Sequence, residues 1–214
     1  MNENYYDNKY NNNGSGTGKL VLGIVIALFA VIALVAISIG GKCVSTYNHL
    51  VDMQEEVELA EANVETMMQR RLELIPDLVS TVKASAKHKE QMVANIITAV
   101  ETLRNSFDTG NPGMISKANE NLSIEINSLT SFVSKNYPEL TSNEEYISLM
   151  DQLEGSVNRI SVAREEYNEK VADYNKTVRR FPGNILAGMF GFDEMEEFKA
   201  DEAANNPNMV NFDE

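Results

Sequence analysis

The chain has 214 residues, with 32 Asp and Glu against 18 Lys and Arg and a formal net charge of −14. That charge repels phosphate backbones and leaves no basic stripe to neutralise them, which argues against nucleic acid as a partner, and it keeps the acidic body from lying flat on anionic headgroups. A single cysteine, Cys43, excludes an internal disulfide and a Cys-based zinc site.

Residues 1–19 are polar, rich in Asn and Gly and without apolar periodicity, so they are expected to form a disordered tail. From Leu20 to Ile39 the chain reads LVLGIVIALFAVIALVAISI without a charge. Twenty residues at about 1.5 Å each span about 30 Å, the thickness of a bilayer's hydrocarbon layer. A transmembrane anchor over 20–41 is therefore predicted, with Lys19 and Lys42 reaching the two interfaces. The run is too long, and its leader too poor in basic residues, for a cleaved signal peptide. Lys9 and Lys19 stand before the run, and only Lys42 follows it before Arg70. By that margin of one lysine the N-terminus is expected in the cytoplasm and the domain outside.

Beyond the anchor, residues 42–182 carry a helical period almost throughout. Leu50, Val57, Val64, Arg71 and Ile75 mark a first seam. Leu78, Val82, Met92, Ile96, Ala99 and Leu103 mark a second, and Ile115, Leu122, Leu129 and Phe132 a third. Pro76 is expected to kink or restart the helix between the first two. The turn-forming stretch Asp108-Thr109-Gly110-Asn111-Pro112-Gly113 separates the second seam from the third. After the break Asn136-Tyr137-Pro138, Ser142 and Glu145 read as a capping box. A long seam then runs through Tyr146, Met150, Leu153, Val157, Ile160, Arg164, Tyr167, Val171, Tyr174 and Val178 to a stop at Phe181-Pro182-Gly183. The predicted fold is all-α: an N-terminal transmembrane helix followed by an antiparallel bundle of long helices.

Residues 183–214 form a segment of another kind. The cluster Ile185, Leu186, Met189, Phe190 and Phe192 either packs back as a cap on the bundle or offers a partner-docking or membrane-touching patch. The acidic, Asn-rich remainder is expected to fray.

Arg71 and Arg164 occupy seam positions that call for apolar side chains. Either their stems pack while the heads reach water, or a head is buried against a carboxylate, with Asp77 and Glu61 as candidates.

Several motifs together resemble the LemA family. They are Tyr47-Asn48, Gln69-Arg70-Arg71, Leu74-Ile75-Pro76-Asp77-Leu78-Val79, Val82-Lys83, Asn136-Tyr137-Pro138-Glu139-Leu140, Leu153-Glu154-Gly155, Asn158-Arg159-Ile160 and Ala163-Arg164. Tyr167-Asn168, Tyr174-Asn175, Phe181-Pro182 and Ala187-Gly188-Met189-Phe190-Gly191-Phe192 complete the set, in order over about residues 47–198. Glu61 stands where that family usually has tryptophan, and Asp77, Ser85, Lys89 and Val157 also depart from its pattern. The resemblance implies a membrane-tethered bacterial helical bundle and brings no catalytic residue. Together with the seams it marks Arg70, Arg71, Pro76, Asp77, Asn158, Arg159, Arg164, Tyr167, Asn168, Tyr174 and Asn175 as candidate structural or interaction residues.

No catalytic constellation is apparent. A di-iron bundle needs Glu-x-x-His on two helices, but Thr46 and Ser85 stand three before His49 and His88. Asp108-Thr109-Gly110 is a lone triplet in a turn, whereas aspartic protease chemistry needs two carboxylates sharing a proton. Glu55, Glu56, Glu58 and Glu61 lack the glycine-turned loop of a calcium site and read as a solvated face. No phosphate-cradling loop or nucleophile motif occurs. The chain is thus expected to be no enzyme and to carry no cofactor. It reads as a scaffold or interaction protein of the bacterial envelope, held in the lipid bilayer by residues 20–41. Its expected partner is another membrane or envelope protein, with self-association open. The alternative is an envelope sensor that binds a small molecule or peptide in the bundle.

Overall fold

The computed structural model describes residues 14–85 and 90–199. The expectations for the polar tail before Gly14, for His88 and for the acidic end after Lys199 fall outside those residues. Six helices are present and no strand occurs among the described residues: α1 (Gly14–Ser85), α2 (Glu90–Phe107), α3 (Pro112–Asn136), α4 (Pro138–Thr141), α5 (Glu144–Arg179) and α6 (Gly183–Phe190). The chain divides into two compact units, residues 1–48 and 49–214.

In the first unit α1 carries the apolar run. It is helical from Gly14, the first described residue, so residues 14–19, expected to be unstructured, are helical. Extending an existing helix adds one hydrogen bond per residue without a new nucleus. The run's most apolar stretch has a mean hydropathy of 3.3, and none of it is buried. A soluble core helix would be covered by protein, whereas this one is apolar and exposed all round, as lipid requires. Its one hydroxyl in the last turns, Ser38, donates to the Leu34 carbonyl at 2.8 Å and so exposes no unmet donor.

In the second unit α1, α2, α3 and α5 form an up-down-up-down bundle. Lys170 on α5 pairs with Glu56 on α1 at 2.8 Å, and Asn63 and Met67 face Asn158 to Glu166 further along. The two helices are therefore antiparallel. Ser116 meets Arg164 and Thr130 meets Met150, which sets α3 antiparallel to α5 as well. Leu50, Val57, Val64, Ile75, Leu78, Val82, Ile96, Leu103, Leu122 and Leu129 fill the core, as their spacing predicts. At about 1.5–3 kcal/mol for each such side chain, this burial dominates the stability of the unit.

Three local expectations are corrected. Of the two outcomes expected at Pro76, a restart does not occur: Pro76 lies inside α1, which runs on to Ser85. A proline in a helix costs about 3 kcal/mol, but Leu72, Ile75, Leu78, Val79 and Val82 are buried on both sides of it and outweigh that cost. The cap of α5 is Asn143 rather than Ser142: the Asn143 side chain accepts from the Tyr146 N–H at 3.1 Å. Asn is among the best cap residues, and its extended backbone suits the role. Within α5, Ser156 is buried while Val157 is 40% exposed. The Ser156 hydroxyl donates to the Leu153 carbonyl, so a small satisfied residue takes the crowded position.

The α2–α3 turn follows its composition. Gly110 has φ +56, a left-handed conformation natural to glycine. Asn111 then caps α3, accepting from Met114 N–H at 2.8 Å with Pro112 in the first turn. Gly183 opens α6 against the end of α5, where an added Cβ would lie 2.2 Å from the Thr177 carbonyl oxygen. The α6 cluster packs back with one face only. Gly183, Leu186 and Ala187 are buried, whereas Ile185, Met189 and Phe190 are exposed.

Candidate functional site

The two arginines placed in the seams converge on one turn of α3, where an asparagine meets one and a serine the other. Arg71 is 2% and Arg164 7% exposed, so neither head snorkels to water. Arg71 Nη1 donates to Asn119 Oδ1 at 2.8 Å, and Arg164 Nη2 donates to Ser116 Oγ at 2.7 Å. Ser116 and Asn119 are one turn apart on α3, and both are buried. This helix thus receives a guanidinium from α1 on one side and another from α5 on the other. The carboxylates named from sequence stand elsewhere. Asp77 is exposed. Glu61 is half-buried, and burial, followed by Glu65 and Glu58, pushes its carboxyl up, opposite to the effect of a guanidinium partner.

Arg164 also binds the C-terminal segment. Residues 192–199 have no regular secondary structure and form a strap that runs antiparallel along α5. Asn175 donates to the Met195 carbonyl at 2.8 Å and accepts from the Met195 N–H at 2.9 Å. Asn168 repeats this at Phe198, with both bonds at 2.8 Å. The Tyr167 hydroxyl donates to the Glu196 carbonyl at 3.0 Å, and Arg164 Nη2 donates to the Lys199 carbonyl. Seven residues of helix rise about 10.5 Å, and three residues of extended chain span about 10 Å. That match lets asparagines seven apart grip strap residues three apart.

Phe198 anchors the strap. It is 4% exposed, lies edge-on to Tyr167 with centroids 4.9 Å apart, and sits under the Arg164 guanidinium at 5.5 Å. Such aromatic and cation–π contacts add to simple burial. Burial, then the charges of Glu61, Glu196 and Glu197, push the Tyr167 phenol up to about 12, so it keeps the proton it donates. Burial and Asp193 raise Tyr174 in the same direction. Near the strap's middle Glu196 accepts from the Asn111 amide at 3.0 Å, and at its start Glu194 pairs with Arg179 at 2.6 Å.

The structure thus brings together Arg164, Tyr167, Asn168, Tyr174 and Asn175, and joins Arg71 to the same buried layer. Arg70, Pro76, Asp77, Asn158 and Arg159 are exposed and stand apart from the strap. Asn158 and Arg159 line an open groove of about 380 Å³ between α1 and α5, with Asn63, Met67, Val162 and Glu166. Ser116, Asn119 and Phe198 were not singled out from sequence. Asn119 carried a readable signal, because it falls between Ile115 and Leu122 on the third seam. Among the described residues no group of three or more His, Cys, Asp or Glu could hold a metal ion.

The protein is similar to the magnetosome protein MamQ of Magnetospirillum gryphiswaldense, with 26% identity covering 90% of this chain and 77% of that one. Magnetosome proteins MamQ 1 and MamQ 2 of Paramagnetospirillum magneticum share 27% identity over the same proportions. The model of the LemA family matches residues 60–212, a span that holds the buried arginine layer, the asparagine pair and the strap. The chain belongs to the LemA family.

Proposed function

We propose that this protein is a membrane-held scaffold that keeps a second membrane or envelope protein against its α1–α5 face, without catalysing a reaction. One observation carries the reading. The polar machinery of α5 is engaged with the protein's own strap, whereas the groove lined by Asn158, Arg159 and Val162 lies open on another part of that helix. Val162 is 64% and Leu59 74% exposed, so large apolar side chains remain on the α1 and α5 surfaces, as docking faces commonly have. The domain side follows the lysine margin and is proposed as extracytoplasmic.

A photo-crosslinker at Val162 in intact cells tests this. A reproducible crosslink to one membrane protein, or to a second copy, supports the scaffold. Loss of every protein crosslink under conditions where the chain is present and folded counts against it.

A second reading, a sensor of extended peptides, has one observation in its favour. Asn168 and Asn175 bind only backbone atoms of the strap, so their hydrogen bonds select no sequence. A peptide that co-purifies and displaces residues 193–199 would favour the sensor.

A further inference from the structure

The outward side of α6 has no account in the bundle. The helix reads GNILAGMF and carries no charge. Its inward side is apolar and buried through Leu186 and Ala187, yet its outward side is apolar too. Phe181 is 80%, Ile185 52% and Met189 70% exposed. Ile185 and Met189 lie one turn apart on the same side. A short helix that is apolar on both sides needs a second apolar phase.

Its position in the second unit says which phase. The Lys170–Glu56 pair sets the register of α5 against α1. Six residues past Lys170 on α5, and six before Glu56 on α1, both lie about 9 Å from that pair in the same direction. Lys176 is thus level with Leu50, and α6 stands at the end where the chain enters the unit at His49. Ten residues separate Ile39, the end of the apolar run, from His49, and even fully extended they reach only about 35 Å. The other end of α1, at Ser85, lies about 54 Å of helix beyond His49. Chain connectivity therefore holds the α6 end within that reach of a bilayer that holds the run, whereas the Ser85 end is under no such constraint.

Local charge fits a lipid surface better than the chain's total charge of −14 would allow. Lys176 lies near Asp173 at 3.8 Å, Arg179 pairs with Glu194, and Asp193 follows α6. Arg180 lies beside Phe181 and is exposed. With Asp52 on α1, also exposed at this end, four acidic groups face three basic ones, so the end is far less acidic than the whole chain and repulsion from headgroups is correspondingly weak.

We propose that Phe181, Ile185 and Met189 form a second membrane contact, which rests in the interface of the same bilayer that the N-terminal helix crosses. The contact is chiefly apolar, so it persists at high salt. The α1–α5 groove is no part of this contact and stays available to a partner. The proposal does not depend on what that partner is.

The test uses the full chain with Cys43→Ser, reconstituted one copy per nanodisc of neutral and anionic phospholipid. A fluorophore is attached at Met189→Cys, at Val31→Cys, or at Ile147→Cys near the start of α5. Lipids carrying a quencher in the acyl chain report direct contact. The expected result is strong quenching at positions 31 and 189, little at 147, and no change in this pattern at high salt. A label roughly 5–10 Å into the headgroup boundary would behave so. Quenching at 31 with position 189 as unquenched as 147 overturns the proposal. If 189 is shielded from an aqueous quencher yet insensitive to the lipid quencher, protein covers α6, and the proposal fails in that way too. An unquenched label at 31 means that the anchor itself is misassigned, which removes the basis of the proposal and is distinguishable from the other failures. A second label at Ile185→Cys repeats the reading, should the change at Met189 disturb the fold.

Discussion

Asn175 holds Met195 by both of its backbone groups, donating to its carbonyl at 2.8 Å and accepting from its N–H at 2.9 Å. Asn168 holds Phe198 in the same way, two helical turns back along α5. Each side-chain amide thus plays the part that a neighbouring strand plays in a sheet.

Replacing either asparagine with alanine should release its rung. Each change leaves a partly buried N–H and carbonyl without their amide partner, a loss of roughly 1–3 kcal/mol. Hydrogen exchange at residues 193–199 should then accelerate about tenfold or more, while the amides of the bundle core hold their rates. Unchanged exchange along the strap would show that the ladder is unimportant in solution.

The buried guanidiniums should matter more than surface arginines do. Arg164→Ala removes donors to Ser116 and to the Lys199 carbonyl, together with the stacking on Phe198. A destabilisation of about 2–3 kcal/mol is expected, and Ser116→Ala should add much less to it than to the parent chain. Denaturant unfolding of both single variants and the double variant measures the coupling. Losses below about 1 kcal/mol for Arg164→Ala and Arg71→Ala alike would place both heads in water.

Glu61 should make the fold more stable in acid than at neutrality through its own titration. Burial raises its carboxyl in the folded state, so the folded chain keeps this proton to higher pH than the unfolded chain does. The resulting stability is present below the usual glutamate range near 4.3 and is lost as pH rises through the folded value. Glu61→Gln should therefore raise the thermal midpoint at pH 7, with the gain vanishing below about pH 4. A midpoint lowered at pH 7 would mean that the carboxylate has a stabilising partner.

The apolar run should behave as an integral anchor. The full chain should stay with membranes through high salt and alkaline carbonate, and deleting residues 20–39 should release a helical domain. Protease added to wall-stripped cells should trim the domain if it lies outside. Extraction of the full chain by salt alone defeats the first expectation, and protection of the domain reverses the second.

The seams were the most legible part of the fold. Leu50, Val57, Val64 and Ile75 announce the buried side of α1 by spacing alone, and all four are buried. The two arginines announced a special layer, but not which acceptors would meet them, because that depends on how α3 rotates against its neighbours. Helix ends were harder to read. Pro76 carries a strong local stop signal, yet packing on both sides of it prevails. Ser142 and Asn143 are both good caps, and only the backbone chooses between them. The strap was invisible to periodicity, since an irregular acidic segment has none. The asparagines of its sockets, Tyr167-Asn168 and Tyr174-Asn175, were marked only by the family resemblance, which does not show what they hold.

That repeat of seven against three gives the strap a way to misalign. A slip by three residues would bring Phe198 to Asn175, where the amide would find the same N–H and carbonyl it finds on Met195. The backbone rungs cannot tell the two settings apart, because every residue but proline offers them the same pair of groups. What distinguishes them is the ring of Phe198 between Tyr167 and Arg164. A chain with Phe198→Ser should therefore keep its strap docked in a mixture of alignments, giving doubled backbone resonances for residues 193–199 rather than a freed end.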